Sequence, residues 1–223
     1  SMDGVGGGAE RVLADVTSGL ADLGHDISIL TYDRPNGKSF YPIDSSIDRF
    51  SLGIGSSGQS STVYETLERI YAMRQNITKI NPDIVVGFMH SMFIPLGIAL
   101  AGKRIPLIAS EHIGIEHYKY HPLQYLLLQL TPYFTKKIIV ISEKLRNGFN
   151  EHLKKDMTVI SNPVCVAEIC AGDRVDSKSS QKVILSVGRL VPQKDHKTLI
   201  DAYAMLADDF PDWSLRIFGD GEL

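Results

Sequence analysis

Apolar residues recur every three or four positions in several stretches of the chain, and short β-branched runs separate these stretches. The first stretch predicts a helix over residues 9–23, because its apolar positions form one stripe on a helical face. These positions are Val12, Leu13, Val16, Leu20 and Leu23. The run that follows, residues 27–32 (ISILTY), is short and rich in β-branched side chains. It predicts a strand that is buried on both faces.

The same alternation of helix and strand continues along the chain. It predicts further helices over residues 63–80, 94–101, 122–134, 143–153 and 197–207. It predicts further strands over residues 47–52, 84–88, 105–110, 138–142, 157–160, 183–187 and 213–218. Strands that alternate with helices pair in parallel through right-handed crossovers. The predicted fold class is therefore α/β, a Rossmann-like parallel sheet with helices on both faces, plus the start of a second Rossmann-like domain.

The composition changes between residues 165 and 181, where Gly, Asp, Ser and Lys become frequent. Such segments are typical of linkers. We therefore predict an N-terminal domain over residues 1–164, a linker over 165–181 and the incomplete start of a second domain over 182–223. The last segment is incomplete because a domain of this class needs roughly 100 residues or more.

Composition and charge exclude several classes of protein. The 223 residues are 43% hydrophobic and carry a formal net charge of −3. With no long basic run, capture of nucleic acid by the whole surface is not expected. The apolar runs are shorter than the ~20 residues that cross a bilayer, so we expect no membrane span, and we expect no secretory signal. Cys165 and Cys170 are expected to be reduced thiols. These features predict a cytoplasmic protein, with peripheral contact at the inner face of the membrane left open.

A glycine-rich turn (GVGGGA, residues 4–9) leads into the first predicted helix. N–H groups that crowd together in such a turn, at the positive end of a helix, suit a phosphate or diphosphate. The spacing also satisfies G-x-G-x-x-A, a dinucleotide-binding pattern, with Asp33 as a ribose partner. That pattern normally follows a strand, and only residues 1–3 precede it here. A glycine-rich end without a ligand is the alternative.

Two cations, Arg189 and Lys194, follow the predicted strand 183–187 within the segment SVGRLVPQK. In parallel sheets, ligands bind beyond the carboxyl ends of strands. Arg offers a planar pair of donors and Lys a compact charge, so together they suit a diphosphate. The alternative is that both side chains are simply solvated.

Ser110, Glu111 and His112 end another buried strand, and His117 and His121 follow nearby. A histidine in this place is able to donate to a phosphate or a sugar hydroxyl, and a neighbouring carboxylate tunes its proton affinity. A loop histidine whose hydrogen bonds are satisfied within the protein is the alternative. The spacing of the three histidines matches no common zinc motif, so we predict no metal site.

Several segments together resemble the family 4 glycosyltransferases of the two-Rossmann-domain type. They are GGGAERVLADVTSGLADLGHDISILT, ISEKLRNGF, VISNPV, VILSVGRLVPQKDHKTLIDAYAML and LRIFGDGEL. The similarity runs through nearly the whole chain, and the block SVGRL…QKD…LI.AY is its most specific part. The resemblance implies transfer of a sugar, with retention, from a nucleotide diphosphate donor to an acceptor. It also implies a cleft between an acceptor-side N-terminal domain and a donor-side C-terminal domain.

The resemblance implies roles for residues on the donor side. Gly6, Gly7 and Gly8 would approach the donor diphosphate. Arg189 and Lys194 would neutralise that diphosphate as it departs. Preorganised cations and N–H groups stabilise a leaving phosphate without a metal, and the chain has no D-x-D motif. No cofactor is expected, because a UDP-, GDP- or ADP-sugar is itself the substrate.

The resemblance also implies roles beside the transferring sugar and on the acceptor side. His112, the catalytic candidate, would contact the transferring sugar or its phosphate. Glu10, Glu111 and Asn162 would lie next to these groups or face the acceptor, which is expected to be a glycan or a lipid-linked glycan. The E-x7-E motif of the family would lie beyond Gly221, so we expect little or no transferase activity from this chain alone.

Two other functions fit parts of the sequence. A nicotinamide-dependent oxidoreductase would use the glycine pattern and the pair Tyr133 and Lys137, which has Tyr-x-x-x-Lys spacing. However, Lys137 begins a predicted strand, so the two side chains are not expected to share a helix face. A noncatalytic nucleotide-binding module would keep the glycine turn without the chemistry.

The predicted helix 122–134 offers a surface as well as a core face. Its apolar residues are Leu126, Leu127, Leu130, Tyr133 and Phe134, with Lys119, Lys136 and Lys137 near its ends. We favour core packing for this helix. A membrane surface that carries a lipid-linked acceptor is the alternative.

Overall fold

A computed structural model describes residues 2, 7–35, 37–54, 62–164 and 182–222. For residue 193 it describes the backbone but not the side chain. The chain divides into two compact units, Ser1–Cys165 and Val166–Leu223. The predicted linker over 165–181 lies outside the described residues, and so do Gly6, Cys165 and Cys170.

The first unit contains seven helices and six strands among its described residues. The helices are α1 (Gly8–Asp22), α2 (Val63–Ile80), α3 (His90–Ala99), α4 (Ile115–Lys119), α5 (Pro122–Gln129), α6 (Glu143–Gly148) and α7 (Glu151–Lys154). The strands are β1 (Ser28–Thr31), β2 (Asp48–Ser51), β3 (Val85–Phe88), β4 (Leu107–Glu111), β5 (Lys137–Val140) and β6 (Met157–Val159). The second unit contains β7 (Lys182–Val187), α8 (His196–Ala204) and β8 (Trp213–Phe218).

Every strand pair in the described residues is parallel. β1 pairs with β2, the order β3-β4-β5-β6 forms a four-stranded sheet, and β7 pairs with β8. Within each unit, successive strands are joined by segments that contain helices, apart from the connection between β1 and β2. The α/β class with parallel sheets is therefore confirmed.

Helices cover both faces of the strands in the first unit. On β1, Ile29 packs with Ala14 of α1 on one face. Leu30, the next residue, faces the opposite side and packs against Met73 of α2, because successive side chains of a strand point to opposite faces. A third cluster lies under β4, β5 and β6 and includes the fully buried Leu128 of α5.

Close packing of α3 on β3 explains a glycine within the strand. A β-carbon on Gly87 would lie 2.6 Å from the β-carbon of Phe93 and 2.8 Å from its α-carbon. No real β-carbon tolerates such a distance, so only glycine allows α3 to approach β3 this closely. This contact fixes the start of α3 over the end of the strand.

The predicted helix bounds differ most from the structure in three places. α3 begins at His90 and not at residue 94, and the segment predicted as one helix over 143–153 is two helices. The second of these begins where the side chain of Asn150 accepts from the N–H of Leu153. The predicted helix 122–134 ends at Gln129, and a 3-10 turn that contains Pro132 follows. The short helix α4 was not predicted.

Candidate functional site

Polar side chains gather where β3 and β4 end. The register pairs Phe88 with Ser110. Glu111, the residue after Ser110, and His90, two residues after Phe88, therefore lie at the same edge of the sheet. This is the carboxyl edge, where parallel sheets bind ligands. The predicted site residue His112 follows at the same edge.

Met89 joins β3 to α3 in a conformation that is rare for a residue with a side chain. Its φ is 67° and its ψ is 153°, a region that glycine adopts far more readily. The N–H of Met89 donates to the carbonyl of Ser110 at 2.8 Å, and its own carbonyl accepts from Met92 and Phe93. The turn therefore starts α3 at the end of β3 and brings His90 beside β4.

Glu111 is fully buried, with 0% of its surface exposed. Its Oε2 accepts from the hydroxyl of Tyr118 at 2.6 Å, and its Oε1 accepts from the N–H of Ile113 at 2.9 Å. Burial raises the pKa of Glu111 to about 7, and the hydrogen bonds from Tyr118 and the backbone oppose that rise. Burial, together with the neighbouring carboxylate, raises the pKa of Tyr118. The hydrogen bond from Tyr118 thus ties α4 to the end of β4.

His90 lies against this carboxyl group and begins a row of three histidines. Its Nδ1 is 4.0 Å from Oε2 of Glu111 and has no hydrogen-bond partner among the described residues. The ring centroids of His90 and His117 are 5.6 Å apart, and those of His117 and His121 are 4.3 Å apart. Burial, and then the neighbouring His117, lowers the pKa of His90. Its imidazole is therefore neutral at pH 7.

His112 is half-buried beside Ser110 and Phe88. Its Nε2 lies 3.0 Å from the hydroxyl oxygen of Ser110. Its ring stacks on that of Phe88, with centroids 5.5 Å apart. Burial lowers the pKa of His112, so the ring is neutral at pH 7 and offers one donor and one acceptor. Such a ring suits a hydroxyl group or a phosphate oxygen.

The start of α1 carries the glycines of the predicted phosphate site. Gly7 precedes the helix and Gly8 begins it, and Gly7, as the N-cap residue, has no side chain to cap the first N–H groups. A β-carbon on Gly7 would overlap the carboxylate of Glu10, so that carboxylate folds back over the helix start. A diphosphate at this place would have to displace the Glu10 carboxylate.

Two further residues of the predicted sites follow the carboxyl ends of strands in the first unit. Asp33, the ribose partner of the nicotinamide alternative, is buried and accepts from the N–H of Met2 at 2.8 Å. Its carboxylate is therefore engaged within the protein. Asn162 is half-buried, three residues beyond the end of β6.

The second unit carries the predicted cations. Arg189 and Lys194 are both exposed and follow the carboxyl end of β7. The backbone of this turn is tightly held, because a β-carbon on Gly219 would overlap the carbonyl of Gly188. The Nε2 atom of the buried His196 lies 2.9 Å from the carbonyl oxygen of Arg189. The turn is thus fixed while its two cationic side chains remain accessible.

The described residues contain neither a cluster of metal ligands nor a membrane-spanning helix. Among those residues, no three His, Cys, Asp or Glu side chains are grouped so that they could hold a metal ion. No helix built from them is long and apolar enough to cross a membrane. Tyr133 lies in the 3-10 turn and Lys137 begins β5, so the oxidoreductase pair does not share a helix.

Two protein-family models match the chain, one after the other along the sequence. The model of glycosyltransferase family 4 matches residues 6–168. The chain belongs to this family. A second model, glycosyl transferases group 1, matches residues 173–223. These matches do not favour an oxidoreductase.

Curated relatives agree with the family assignment. The chain is 24% identical over 220 residues to an uncharacterized glycosyltransferase of Haemophilus influenzae, covering 98% of this chain and 60% of that protein. It is 26% identical over 225 residues to a Campylobacter jejuni protein, GalNAc-alpha-(1->4)-GalNAc-alpha-(1->3)-diNAcBac-PP-undecaprenol alpha-1,4-N-acetyl-D-galactosaminyltransferase, covering 97% of this chain and 59% of that protein. The family 4 chain therefore spans about 60% of the length of these relatives.

Solved structures show the same fold at low sequence identity. Sucrose-phosphate synthase from Thermosynechococcus elongatus matches with a TM-score of 0.72 at 15% identity, covering 96% of this chain and 57% of that chain. Anabaena HepE in complex with UDP matches with a TM-score of 0.67 at 16% identity, covering 100% of this chain and 60% of that chain. At such identities the likeness concerns the fold alone.

The sequence pattern selected His112 and Glu111 as candidates at this edge, but it did not select His90 and Tyr118, which the structure places beside Glu111. His90 lies two residues after the predicted strand 84–88, in the sequence GFMH. Its position near the carboxyl end of a strand was the signal that could have selected it. Tyr118 offered no comparable signal, because its role depends on the fold of the loop after β4.

Proposed function

We propose that this family 4 chain provides the acceptor-side domain, and the first part of the donor-side domain, of a glycosyltransferase. The enzyme transfers a sugar from a nucleoside diphosphate sugar to a glycan or glycolipid, with retention at the anomeric carbon. One observation carries the proposal: the two glycosyltransferase models match in order over residues 6–168 and 173–223. The Campylobacter relative, whose name includes a diphosphate-linked lipid acceptor, supports the acceptor class.

The donor diphosphate is proposed to meet the glycine turn and the two cations. The start of α1 at Gly7 and Gly8 offers N–H groups and a partial positive charge to a diphosphate that displaces the Glu10 carboxylate. Arg189 and Lys194 are exposed on a rigid turn, where they are available to a ligand. Breaking the glycosidic bond develops negative charge on the leaving phosphate, and fixed positive groups stabilise that charge.

His112 is proposed to contact the transferring sugar or its phosphate. Its neutral ring is held by Phe88 and Ser110 at the carboxyl edge of the sheet, so its orientation is set before a ligand arrives. Glu111 and Asn162 are proposed to support the acceptor side, and Glu10 to lie next to the diphosphate.

A transfer assay tests the proposal with the longer protein that includes this chain. Arg189→Gln is expected to lower kcat about a hundredfold, since loss of one group that stabilises the leaving charge costs roughly 3 kcal/mol of barrier. Arg216→Gln, which removes an exposed cation on β8, is the matched control and is expected to have little effect. Equal losses in the two variants would contradict the role of Arg189.

The same assay tests His112 and the stereochemistry. His112→Ala is expected to reduce turnover by one to two orders of magnitude, whereas His25→Ala, an exposed histidine after α1, is expected to be neutral. NMR of the first product to form is expected to show the same anomeric configuration as the donor. An inverted product would contradict retention.

Ligand binding by the 223-residue chain separates the alternatives. We expect this chain to turn over little or no nucleotide sugar, and measurable transfer would contradict its dependence on further residues. A thermal shift with UDP or GDP, without turnover in the longer protein, would favour a noncatalytic binding module. Saturable fluorescence quenching by a reduced nicotinamide would favour the oxidoreductase.

Peripheral membrane contact is the second part of the proposal. The segment around α5 exposes Leu123 by 68%, Leu126 by 59% and Leu130 by 46%, whereas the sequence favoured core packing for this helix. Leu128 does pack in the core. Exposed lysines flank the leucines at Lys119, Lys136 and Lys137. Apolar side chains rimmed by cations suit an anionic membrane surface on the cytoplasmic side.

Vesicle sedimentation tests this surface. The chain is expected to bind phosphatidylglycerol vesicles, and the double variant Leu123→Ser with Leu126→Ser is expected to lose most of that binding. Leu67→Ser, an exposed leucine on α2, is the matched control. Binding that survives the double variant, or that falls equally in the control, would contradict the assignment to α5.

A further inference from the structure

The carboxyl group of Glu111 holds the backbone on both sides of the predicted site residue His112. Its Oε1 accepts from the N–H of Ile113 at 2.9 Å, and the backbone N–H of His112 contributes a hydrogen bond that lowers the pKa of this carboxyl group. Its Oε2 accepts from the hydroxyl of Tyr118 at 2.6 Å. An ionised carboxylate makes stronger hydrogen bonds of this kind than a neutral acid does. The segment that carries His112 is therefore held most firmly when Glu111 is charged.

His90 offers a hydrogen-bond acceptor to the neutral form of the same group. Its Nδ1 is buried, lies 4.0 Å from Oε2 of Glu111 and has no hydrogen-bond partner among the described residues. A buried acceptor without a donor is costly, and a proton on Oε2 would supply that donor. The two atoms need to approach by about 1 Å to form the hydrogen bond.

A single proton therefore changes which helix the carboxyl group holds. In the ionised form, Oε2 accepts from Tyr118 of α4, which is the arrangement that the structure shows. With a proton on Oε2, the carboxyl group donates to Nδ1 of His90 on α3 and becomes a weaker acceptor for Tyr118. The proton comes from water and no covalent bond of a substrate changes.

The groups that face Glu111 come from α4 and from β5. They are Tyr118 of α4, against which Tyr125 of α5 packs with ring centroids 6.1 Å apart, and the apolar Val140, the neighbour of Glu111 in β5. The remaining group is His90 of α3.

The groups that face His90 lead from the buried carboxyl group to solvent. The rings of His117 and His121 follow that of His90, and His121 is exposed. The amide of Gln124 on α5 contributes a hydrogen bond that raises the pKa of His90. Imidazoles exchange protons readily near neutral pH, so this row connects the buried pair to water.

The acidities of the two groups agree with this arrangement. Burial raises the pKa of Glu111 to about 7, and burial lowers the pKa of His90. As pH falls, Glu111 therefore takes up a proton while the ring of His90 is still neutral and able to accept from it.

We propose that Glu111 and His90 are positioning residues for His112. The pair binds one proton, and the loss of that proton lets the Glu111 carboxylate hold the segment of His112 and Tyr118 in the arrangement that the structure shows. The consequence for catalysis rests on the proposed role of His112 in sugar transfer, whereas the binding of the proton does not.

NMR titration of the 223-residue chain tests the pair without any substrate. The carbon-13 signal of the Glu111 carboxyl group and the ring nitrogen signals of His90 and His112 are expected to shift with one common midpoint near pH 7. In Glu111→Gln, which cannot ionise, both histidines are expected to lose this step. Glu116→Gln removes an exposed carboxylate of α4 and is expected to keep it.

Two results of the titration would overturn the proposal. One is a His112 signal that shifts alike in wild type and Glu111→Gln. The other is a pair of separate midpoints for Glu111 and His90 in wild type, a test that does not depend on the folding of any variant. Amides of Ala109 and Ile138, in the paired strands β4 and β5, show that each variant is folded.

The pH profile of transfer by the longer protein separates this proposal from the proposed function. The kcat of wild type is expected to fall about tenfold between pH ~8 and pH ~6, with little change in the KM for the donor. Glu111→Gln has the shape of the protonated acid and is expected to keep the lower kcat throughout, whereas Glu116→Gln is expected to follow wild type.

An equally steep fall of kcat in Glu111→Gln would overturn the positioning role and leave the proposed function in place. Absence of transfer by the longer wild-type protein at every pH would overturn the proposed function, and the NMR titration would then decide the proton-binding pair by itself.

Discussion

The two units repeat the same β-α-β pattern and bury very different amounts of apolar surface. The first unit forms three clusters of buried side chains, with residues such as Phe93, Leu128 and Ile138 fully enclosed. In the second unit, Leu185 in the middle of β7 remains 59% exposed. Its one buried residue among those described is His196, a polar side chain.

The comparison shows that helices and strands form in both units, although only the first unit buries an apolar core. Both units have capped helices and parallel ladders, so local signals are sufficient to form these elements. A two-stranded sheet with one helix covers too little surface to form a core. The polar site of the first unit can therefore be buried and held in advance, whereas the cations of the second unit stand on an exposed turn.

Truncation of a core leucine gives the largest expected contrast between the units. Leu128→Ala removes a fully buried side chain from the first unit and is expected to lower the free energy of unfolding by about 4 kcal/mol. Leu185→Ala, the matched change in β7, is expected to cost less than about 1 kcal/mol. Native-state hydrogen exchange in β4 and β5 measures the first unit, and fluorescence of Trp213 on β8 measures the second.

Equal costs in the two variants would remove the contrast. That result would mean that Leu185 is buried in solution by something that the described residues do not provide.

Titration of Glu111 gives the next largest effect. Its pKa is raised to about 7 in the folded chain, against about 4.5 when unfolded, so the folded state favours the protonated form. Its contribution to stability is therefore fully present below pH ~4.5 and is lost as pH rises to about 7, a loss of roughly 3 kcal/mol. The comparison of wild type with Glu111→Gln across this range isolates the effect, because His90 contributes to both proteins.

Urea unfolding at several pH values measures this difference. The stability advantage of wild type over Glu111→Gln is expected to shrink as pH rises from 4.5 to 7 and then to level off. A difference that is constant with pH would contradict a buried, proton-binding Glu111.

Tyr118→Phe tests the hydrogen bond that holds the buried carboxyl group. Removing the hydroxyl donor leaves Oε2 of Glu111 without its 2.6 Å partner and is expected to cost about 2 kcal/mol near pH 7.5. Because that hydrogen bond lowers the pKa of Glu111, its loss is expected to raise the pKa further. Carbon-13 NMR of the Glu111 carboxyl group measures the shift. Tyr120→Phe, an exposed tyrosine nearby, is the control and is expected to leave the titration unchanged.

The sequence predicted correctly those helices whose first and last residues are determined by neighbouring residues in the sequence. The predicted helix 63–80 is confirmed at both ends. Thr62 caps its start, and Asn81, which precedes Pro82, ends it in a left-handed conformation. α3 was placed four residues late, since its start depends on the unusual backbone of Met89 and on a hydrogen bond to Ser110 in a neighbouring strand. Such contacts between distant residues leave no periodic pattern.

The candidate site also has a part that the sequence predicted and a part that only the structure shows. Position after a strand was enough to select Glu111, His112 and Arg189, because the carboxyl edge follows from the topology alone. The environment of Glu111 was not predictable, since it combines Tyr118 of α4 with His90 of α3. The division of the strands into the pair β1-β2 and the sheet β3-β4-β5-β6 also required the structure, because the apolar pattern of a strand does not identify its pairing partner.

Substitution of a helix-capping residue is expected to have the smallest effect on the free energy of unfolding, and to weaken a helix start in either unit. The side chain of Thr62 accepts from the N–H of Glu65 at the start of α2, so Thr62→Ala is expected to cost the first unit about 1 kcal/mol, whereas Thr62→Ser retains the cap. Asp195 caps α8 with a φ of 49°, a backbone conformation that glycine adopts without strain. Asp195→Gly is therefore expected to cost the second unit only a few tenths of a kcal/mol. If Asp195→Gly instead unfolds β7 and β8, as reported by Trp213, local capping and not burial holds the second unit together.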